Sequence, residues 1–135
     1  MYDSPESVVR GFVASLEDLP KLDRILSFFA EDALYVDGPR GLHRGIDAIT
    51  SELEALAAMG FENLTEEVKS LASNSGTVMI ERVESFNVGG KPFSMEIMAA
   101  FEIDADGKIK RWRDSYDLKS ITDQIAGAAG FKVPA

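Results

Sequence analysis

TVMIERVESFN-VGGKP-FSMEIMAAFEI-DADG-KIKRWRDSYD, residues 77–117, is the stretch that decides the fold. Within 77–87, 93–103 and 108–117 apolar residues return at every second position, the spacing of strands with one buried face. Between them stand Gly89-Gly90 and Asp104-Ala105-Asp106-Gly107, both good hairpin chemistry. Upstream, 62–72 has the same period and is joined to 77–87 by Ser73-Asn74-Ser75-Gly76. The prediction is a meander of four antiparallel strands.

Before residue 62 the period is 3.6. Ser4-Pro5-Glu6 reads as an N-cap, a proline at the first helical position and an acid in the first turn. Val8, Val9, Phe12, Val13 and Leu16 continue it as an amphipathic helix of about four turns, broken at Asp18-Leu19-Pro20. Leu22, Ile25, Leu26 and Phe29 mark a second, shorter helix. Ala33–Asp37 is a short β-like run stopped by Gly38-Pro39. A glycine-bounded loop, Gly41-Leu42-His43-Arg44-Gly45, leads to a third helix through Ile46, Ile49, Leu53, Leu56 and Ala57, closed by Gly60. Leu118–Ala128 reads as a short closing helix. Helices first and a meander after is an α+β layout, with helices packed on one face of the sheet.

The turns predict the register if each loop is symmetric. Arg82 then lies opposite Ile97 and Ile97 opposite Asp114; Glu84 lies opposite Met95 and Met95 opposite Tyr116. Directly paired residues share a face. Phe93, Met95, Ile97, Ala99, Phe101 and Ile103 make that face the apolar, helix-covered one. Arg82, Glu84 and Asp114 are therefore expected inside, where an unpaired charge costs several kcal/mol. Neighbouring strands lie about 4.8 Å apart, so Arg82 and Asp114 are separated by roughly 10 Å of backbone. An extended arginine spans that gap, and carboxylate–arginine–carboxylate is the economical way to keep all three buried. From the residues alone this is equally an inert ion-pair network or a catalytic constellation.

The 135 residues form one domain, 1–135, with 45% hydrophobic and 27% charged residues, a composition that excludes a disordered or fibrous chain. A net charge of −9 speaks against nucleic acid or an anionic membrane as partner and for uncharged or cationic small molecules, or another protein. The absence of cysteine excludes disulfides, thiolate catalysis and cysteine metal sites. No apolar run approaches the roughly 20 residues of a spanning helix. Met1-Tyr2-Asp3-Ser4-Pro5-Glu6 has neither the basic start nor the apolar core of a signal peptide, so the cytoplasm is the expected compartment.

Ile80-Glu81-Arg82-Val83-Glu84, the Gly-Gly-Lys hairpin, a second long strand and Trp112-Arg113-Asp114-Ser115-Tyr116-Asp117-Leu118 together resemble the limonene-1,2-epoxide hydrolase family. The resemblance runs from the first helix to about Ile121. It implies the cone-shaped nuclear-transport-factor-2-like fold, a curved antiparallel sheet wrapped over N-terminal helices around a deep pocket. It also implies a homodimer that needs no metal or organic cofactor and acts on a lipophilic epoxide. By the same resemblance Asp114 is the base that takes a proton from water, Arg82 bridges the two acids, and Glu84 protonates the epoxide oxygen. Tyr35 and Asp37 match a tyrosine and an asparagine, two apart, that help hold the water.

Two positions depart from the family's pattern. Glu84 stands where the family usually has aspartate. The extra methylene moves the proton donor by about 1 Å, a shift that can by itself cost on the order of 100-fold. Asp37 replaces the asparagine and adds a third carboxylate near one arginine. Like-charge repulsion then either raises the pKa of one acid or leaves Asp37 protonated and able to act like asparagine. Opening an epoxide with water needs a base and an acid at the same moment, and two carboxyls in different protonation states supply both. Ile80, Met95, Ile97, Trp112 and Tyr116 are expected to form the apolar substrate wall.

Other readings stand beside these. Tyr35 also suits a core tyrosine and Asp37 a turn former. His43 is expected to be a solvated loop residue. Asp104-Ala105-Asp106-Gly107 lacks the glutamate of a calcium loop and reads as a turn. Lys108, Lys110, Arg111 and Arg113 form a solvated or dimer-facing run. Met79, Val83, Met98 and Ala100 fall on the outer face, a candidate dimer interface. Two rival functions use the same pocket: an isomerase or cyclase that shuttles protons with Asp37 or Asp114 as base, or a non-catalytic binder of a lipophilic ligand.

Overall fold

The computed structural model describes residues 2–126. Ser4 caps α1 (Pro5–Ser15): its Oγ accepts the Ser7 N–H and the Ser7 Oγ accepts the Ser4 N–H, both at 3.1 Å. The helix is one turn shorter than its periodicity predicts, and Leu16–Asp18 tighten into a 3₁₀ turn. The second helix is reduced to α2 (Asp23–Leu26), because Phe29 already begins β1 (Phe29–Asp37). The expected loop at 41–45 contains a short strand, β2 (Leu42–Arg44), paired with β1 through Tyr35 and His43. Next come α3 (Ile46–Ala57), β3 (Glu62–Asn74), β4 (Thr77–Val88), β5 (Lys91–Ile103), β6 (Ile109–Ser115) and α4 (Leu118–Ala126). The last two residues of the expected closing helix lie outside the described residues.

The six strands form one open sheet in the order β2-β1-β6-β5-β4-β3. All neighbours are antiparallel except β1 and β6, which run parallel, so the sheet is a meander extended by one parallel pair. α1 packs on β3 and β4 while α3 packs on β1 and β2, which curves the sheet around a helical filling. Phe12 is the hub of the main core. Its ring meets Phe28, Phe29, Phe101 and Trp112 edge to face at centroid distances of 4.8–5.8 Å. Phe86, Phe93 and Ile121 form a second core under α4. Gln124 ties that helix to β5 by accepting the Ser94 N–H and donating to the Ser94 carbonyl.

The β4–β5 register is the expected one, with Arg82 opposite Ile97 and Glu84 opposite Met95. The β5–β6 register is not: Asp114 lies opposite Ala99 rather than Ile97, and Trp112 opposite Phe101. Two irregularities cause this. The turn closes through Asp104 N–H to the Lys108 carbonyl, with Gly107 at φ 78°, so it spans one residue more than a symmetric loop. Glu102 then pairs with Arg111 but Ile103 with Ile109, which leaves Lys110 as a bulge. Two single-residue slips restore parity, so Asp114 keeps its inward face despite the wrong partner.

Candidate active site

Arg82 lies on the inner face of β4, 2% exposed. Its Nη1 and Nη2 donate to Oδ1 and Oδ2 of Asp114 at 2.9 and 3.0 Å, a bidentate pair reaching diagonally across β5. Trp112 Nε1 donates to Asp114 Oδ1 at 2.8 Å. Three N–H donors thus converge on one carboxylate. Oδ1 takes two of them and Oδ2 one, so Oδ2 keeps lone-pair capacity for a further proton.

The second arm of the arginine differs from expectation. Arg82 Nε donates at 2.8 Å to Glu66 of β3, a residue the sequence reading did not single out. Glu84 is only a distant partner, its Oε2 lying 3.8 Å from Arg82 Nη2. Glu66 and Glu84 face each other directly in the β3–β4 register, and Glu66 Oε2 is buried without a hydrogen-bond donor. Burial, and then the charge of Glu84, push Glu66 up to about 10. Burial also raises Glu84, against the opposing pull of Arg82. Both carboxyls therefore hold a proton to higher pH than a free glutamate. For Arg82, Asp114 and Glu66 outweigh the cost of burial and hold its charge firmly.

A second pair of acids stands beside the first. Asp37 is the direct β1 neighbour of Asp114 in the parallel register and is 3% exposed. Burial, a hydrogen bond to Glu52 and the charge of Asp114 push it up to about 8, with Arg40 Nε 3.4 Å from its Oδ2. Glu52 of α3 is the ionised partner. Burial pushes it up, but hydrogen bonds from Asp37 and Arg40 prevail and its carboxyl sits below the usual range. Arg40 grips Glu52 with Nε at 2.9 Å and Nη2 at 3.2 Å. Tyr116 O–H donates to Asp37 Oδ1 at 3.1 Å. Gly38 makes that contact possible: at φ 44° it packs under the Tyr116 ring, where a Cβ would lie 2.7 Å from Cε1.

These groups open on a cavity of about 90 Å³. Asp114, Arg82, Glu84, Tyr35 and Asp37 all line it, as do Met95, Ile97, Trp112 and Tyr116. Leu53 and Leu56 of α3 and Phe61, Phe86, Leu118 and Ile121 complete an apolar wall. Ile80 is the exception among the expected wall residues: it is packed into the main core and does not line the cavity. Tyr35 is fully buried and stacks on Trp112 with centroids 3.8 Å apart. Burial first, and the charges of Asp114 and Asp37 next, hold its hydroxyl protonated. His43, expected in a solvated loop, sits on β2 with its ring 5.8 Å from that of Tyr35 and Nε2 3.6 Å from Glu52.

Glu66 was missed for a reason. Asn74 pairs with Thr77 across Ser75-Gly76, and a regular strand from that turn sets Glu67, not Glu66, opposite Glu84. A bulge at Lys69, between the Val68–Arg82 and Ser70–Glu81 pairs, shifts the strand by one residue and turns Glu66 inward. The available signal was the alternation itself: Leu64, Glu66 and Val68 are in phase, and Leu71 is out of phase with them. Arg40 and Glu52 carried no motif. Among the described residues no group of three or more acids and histidines is arranged to hold a metal ion, and no helix is long and apolar enough to cross a membrane.

Residues 9–112 match the model of a family described as a SnoaL-like domain. Three solved structures share the fold. One, from Catenulispora acidiphila, is a protein with a ketosteroid isomerase-like fold in complex with trimethylamine; it is 23% identical over 90% of this chain and 93% of its own, with a TM-score of 0.76. An LEH-like epoxide hydrolase of M. tuberculosis is 19% identical over 91% and 90%, TM-score 0.76. A protein of Shewanella denitrificans, provisionally described as a SnoaL-like polyketide cyclase, is 13% identical over 91% and 97%, TM-score 0.78. At these identities the likeness establishes the nuclear-transport-factor-2-like α+β fold.

Proposed function

The chain belongs to the SnoaL-like domain family, and within it we propose that this protein hydrolyses a lipophilic epoxide to a vicinal diol by direct attack of water. The observation that carries the reading is two carboxyls in unlike surroundings on one cavity. Asp114 accepts three N–H donors, and Glu84, its carboxyl pushed up by burial, faces Glu66 across β3–β4, with Arg82 between them. Water lodged against Asp114 Oδ2 gives up a proton as its oxygen bonds to an epoxide carbon. The ring C–O bond breaks, and Glu84 protonates the departing oxygen. Base and acid act together, which is what epoxide opening demands. Asp37, neutral beside Asp114, leaves the base without a like charge at its flank and anchors Tyr116; Tyr35 closes the same side.

The assay is diol formation from a panel of cyclic and terpene epoxides in ¹⁸O-labelled water under single-turnover conditions. One labelled oxygen per diol in the first turnover is expected, with a loss of about 10²–10⁴-fold in Asp114→Asn. An unlabelled first-turnover diol would mean a covalent enzyme intermediate, and undiminished turnover in Asp114→Asn would remove the base; either sinks the reading. The second reading, a proton-shuttling isomerase or cyclase with Asp37 or Asp114 as base on a carbon acid, is suggested by the SnoaL-like family match. It is tested on β,γ-unsaturated ketones. Tight uptake of an apolar ligand that survives Asp114→Asn, with no turnover of either substrate class, would indicate a binding protein.

A further inference from the structure

Glu66 does not line the cavity, yet it is the acid closest to Arg82 Nε, and its side chain is 0% exposed. Oε1 accepts that N–H at 2.8 Å. Oε2 is buried with no N–H or O–H donor from any other residue. The group it meets is the Glu84 carboxyl, its direct neighbour across β3–β4. A buried oxygen without a donor is costly, and two facing carboxylates are costlier. One proton between them removes both problems. Arg82 and Glu84 face Glu66 from β4 and Asp114 faces it through Arg82 from β6. Glu17 of the 3₁₀ turn after α1 accepts the Glu66 backbone N–H at 2.8 Å and supplies no proton donor.

We propose that Glu66 is a positioning residue that keeps Glu84 loaded, holding in a closed β3–β4 pair the proton that Glu84 delivers to substrate without meeting substrate itself. The inference rests on the epoxide-opening role given to Glu84. When the ring C–O bond breaks, the proton leaves the pair for the oxygen, and both glutamates are briefly ionised around Arg82. The proton that Asp114 took from water returns to the pair through solvent after the diol leaves.

Two readouts test this. In Glu66→Gln the amide carbonyl still accepts from Arg82, but its N–H₂ donates to Glu84 and favours the ionised form. The alkaline limb of kcat/KM should fall by about two pH units or more, and Glu66→Asp should restore part of it. A merely structural role would lower activity evenly and leave the limb in place, which would overturn the proposal. The second readout needs no substrate: ¹³C NMR titration of glutamate carboxyls in the intact protein. Wild type should show a glutamate titrating far above the ordinary carboxylate range, lost in Glu66→Gln and moved down in Glu84→Gln. Absence of that titration in wild type overturns the proposal even in an active enzyme. Its presence in a protein without epoxide turnover supports the shared proton and sinks the epoxide reading instead.

Discussion

Replacing Arg82 by methionine removes one cation from a buried cluster and leaves its acids in place. The guanidinium makes three hydrogen bonds of 2.8–3.0 Å to Asp114 and Glu66, and a looser contact to Glu84. Breaking a buried charge network from one side costs about 3–5 kcal/mol, because what remains is uncompensated. The loss depends on pH. Without Arg82 the folded state holds its acids protonated to higher pH than the unfolded chain does. Between the unfolded and the raised folded values it binds extra protons, and stability falls with rising pH by about 1.4 kcal/mol per unit for each. The deficit is therefore largest at alkaline pH and shrinks towards pH 5. Urea unfolding followed by the fluorescence of Trp112, the sole tryptophan, reports directly on the site, since its Nε1 donates to Asp114. With a urea slope of about 1–3 kcal/mol per molar, the midpoint should drop by roughly 1–5 M at pH 8. A drop below about 0.5 M, or equal deficits at pH 5 and pH 8, would refute the claim that Arg82 holds ionised carboxylate inside.

Three further outcomes are expected. Asp37 holds its proton to about 8 when folded but ionises near the ordinary aspartate value when unfolded, so it makes wild-type stability fall as pH rises through that window; Asp37→Asn should flatten the fall in calorimetric melts between pH 5 and 8, and an unchanged slope would show that Asp37 is ionised in the native state. Gly38→Ala sets a Cβ 2.7 Å from the Tyr116 ring on a φ of 44°, and should cost about 1–3 kcal/mol while freeing the tyrosine from Asp37, visible as a shift in ultraviolet difference spectra. Met79 and Met98 are 55% and 58% exposed on the outer face of the sheet; a dimer joined there should become monomeric in sedimentation velocity when both are changed to aspartate, and a wild-type monomer would remove the homodimer from consideration.

Face and register were not equally legible. The alternation of Phe93 to Ile103 told which side of β5 is buried, and every inward charge on β4 and β6 followed from it. Parity survives any even slip, so Asp114 was placed on the correct face although its partner is Ala99 and not Ile97. An odd slip is invisible to the same reasoning. The single bulge at Lys69 turned Glu66 inward, and with it the true second ligand of Arg82. Arg40 and Glu52 meet through a contact between a 3₁₀ turn and α3, where no strand period guides the eye.

The two departures from the resembling family's pattern become one device once the partners are known. Five acids, Asp37, Glu52, Glu66, Glu84 and Asp114, face two arginines, Arg40 and Arg82. Fully ionised, that cluster would carry a large negative excess in a dry site. If Asp37 shares a proton with Glu52, and Glu84 one with Glu66 as proposed, a single negative charge is left in excess. On that reading the aspartate at 37 is not a third charge beside Asp114, and the longer glutamate at 84 is within reach of its neighbour Glu66 across the strand. Glu84→Asp provides the test. A side chain one methylene shorter withdraws from Glu66, so if sharing is what the length serves, Glu84→Asp alone should lose activity and lower the alkaline limb. Restoring the family's residue at 84 with no change in limb would show that the length of Glu84 serves the substrate and not the proton.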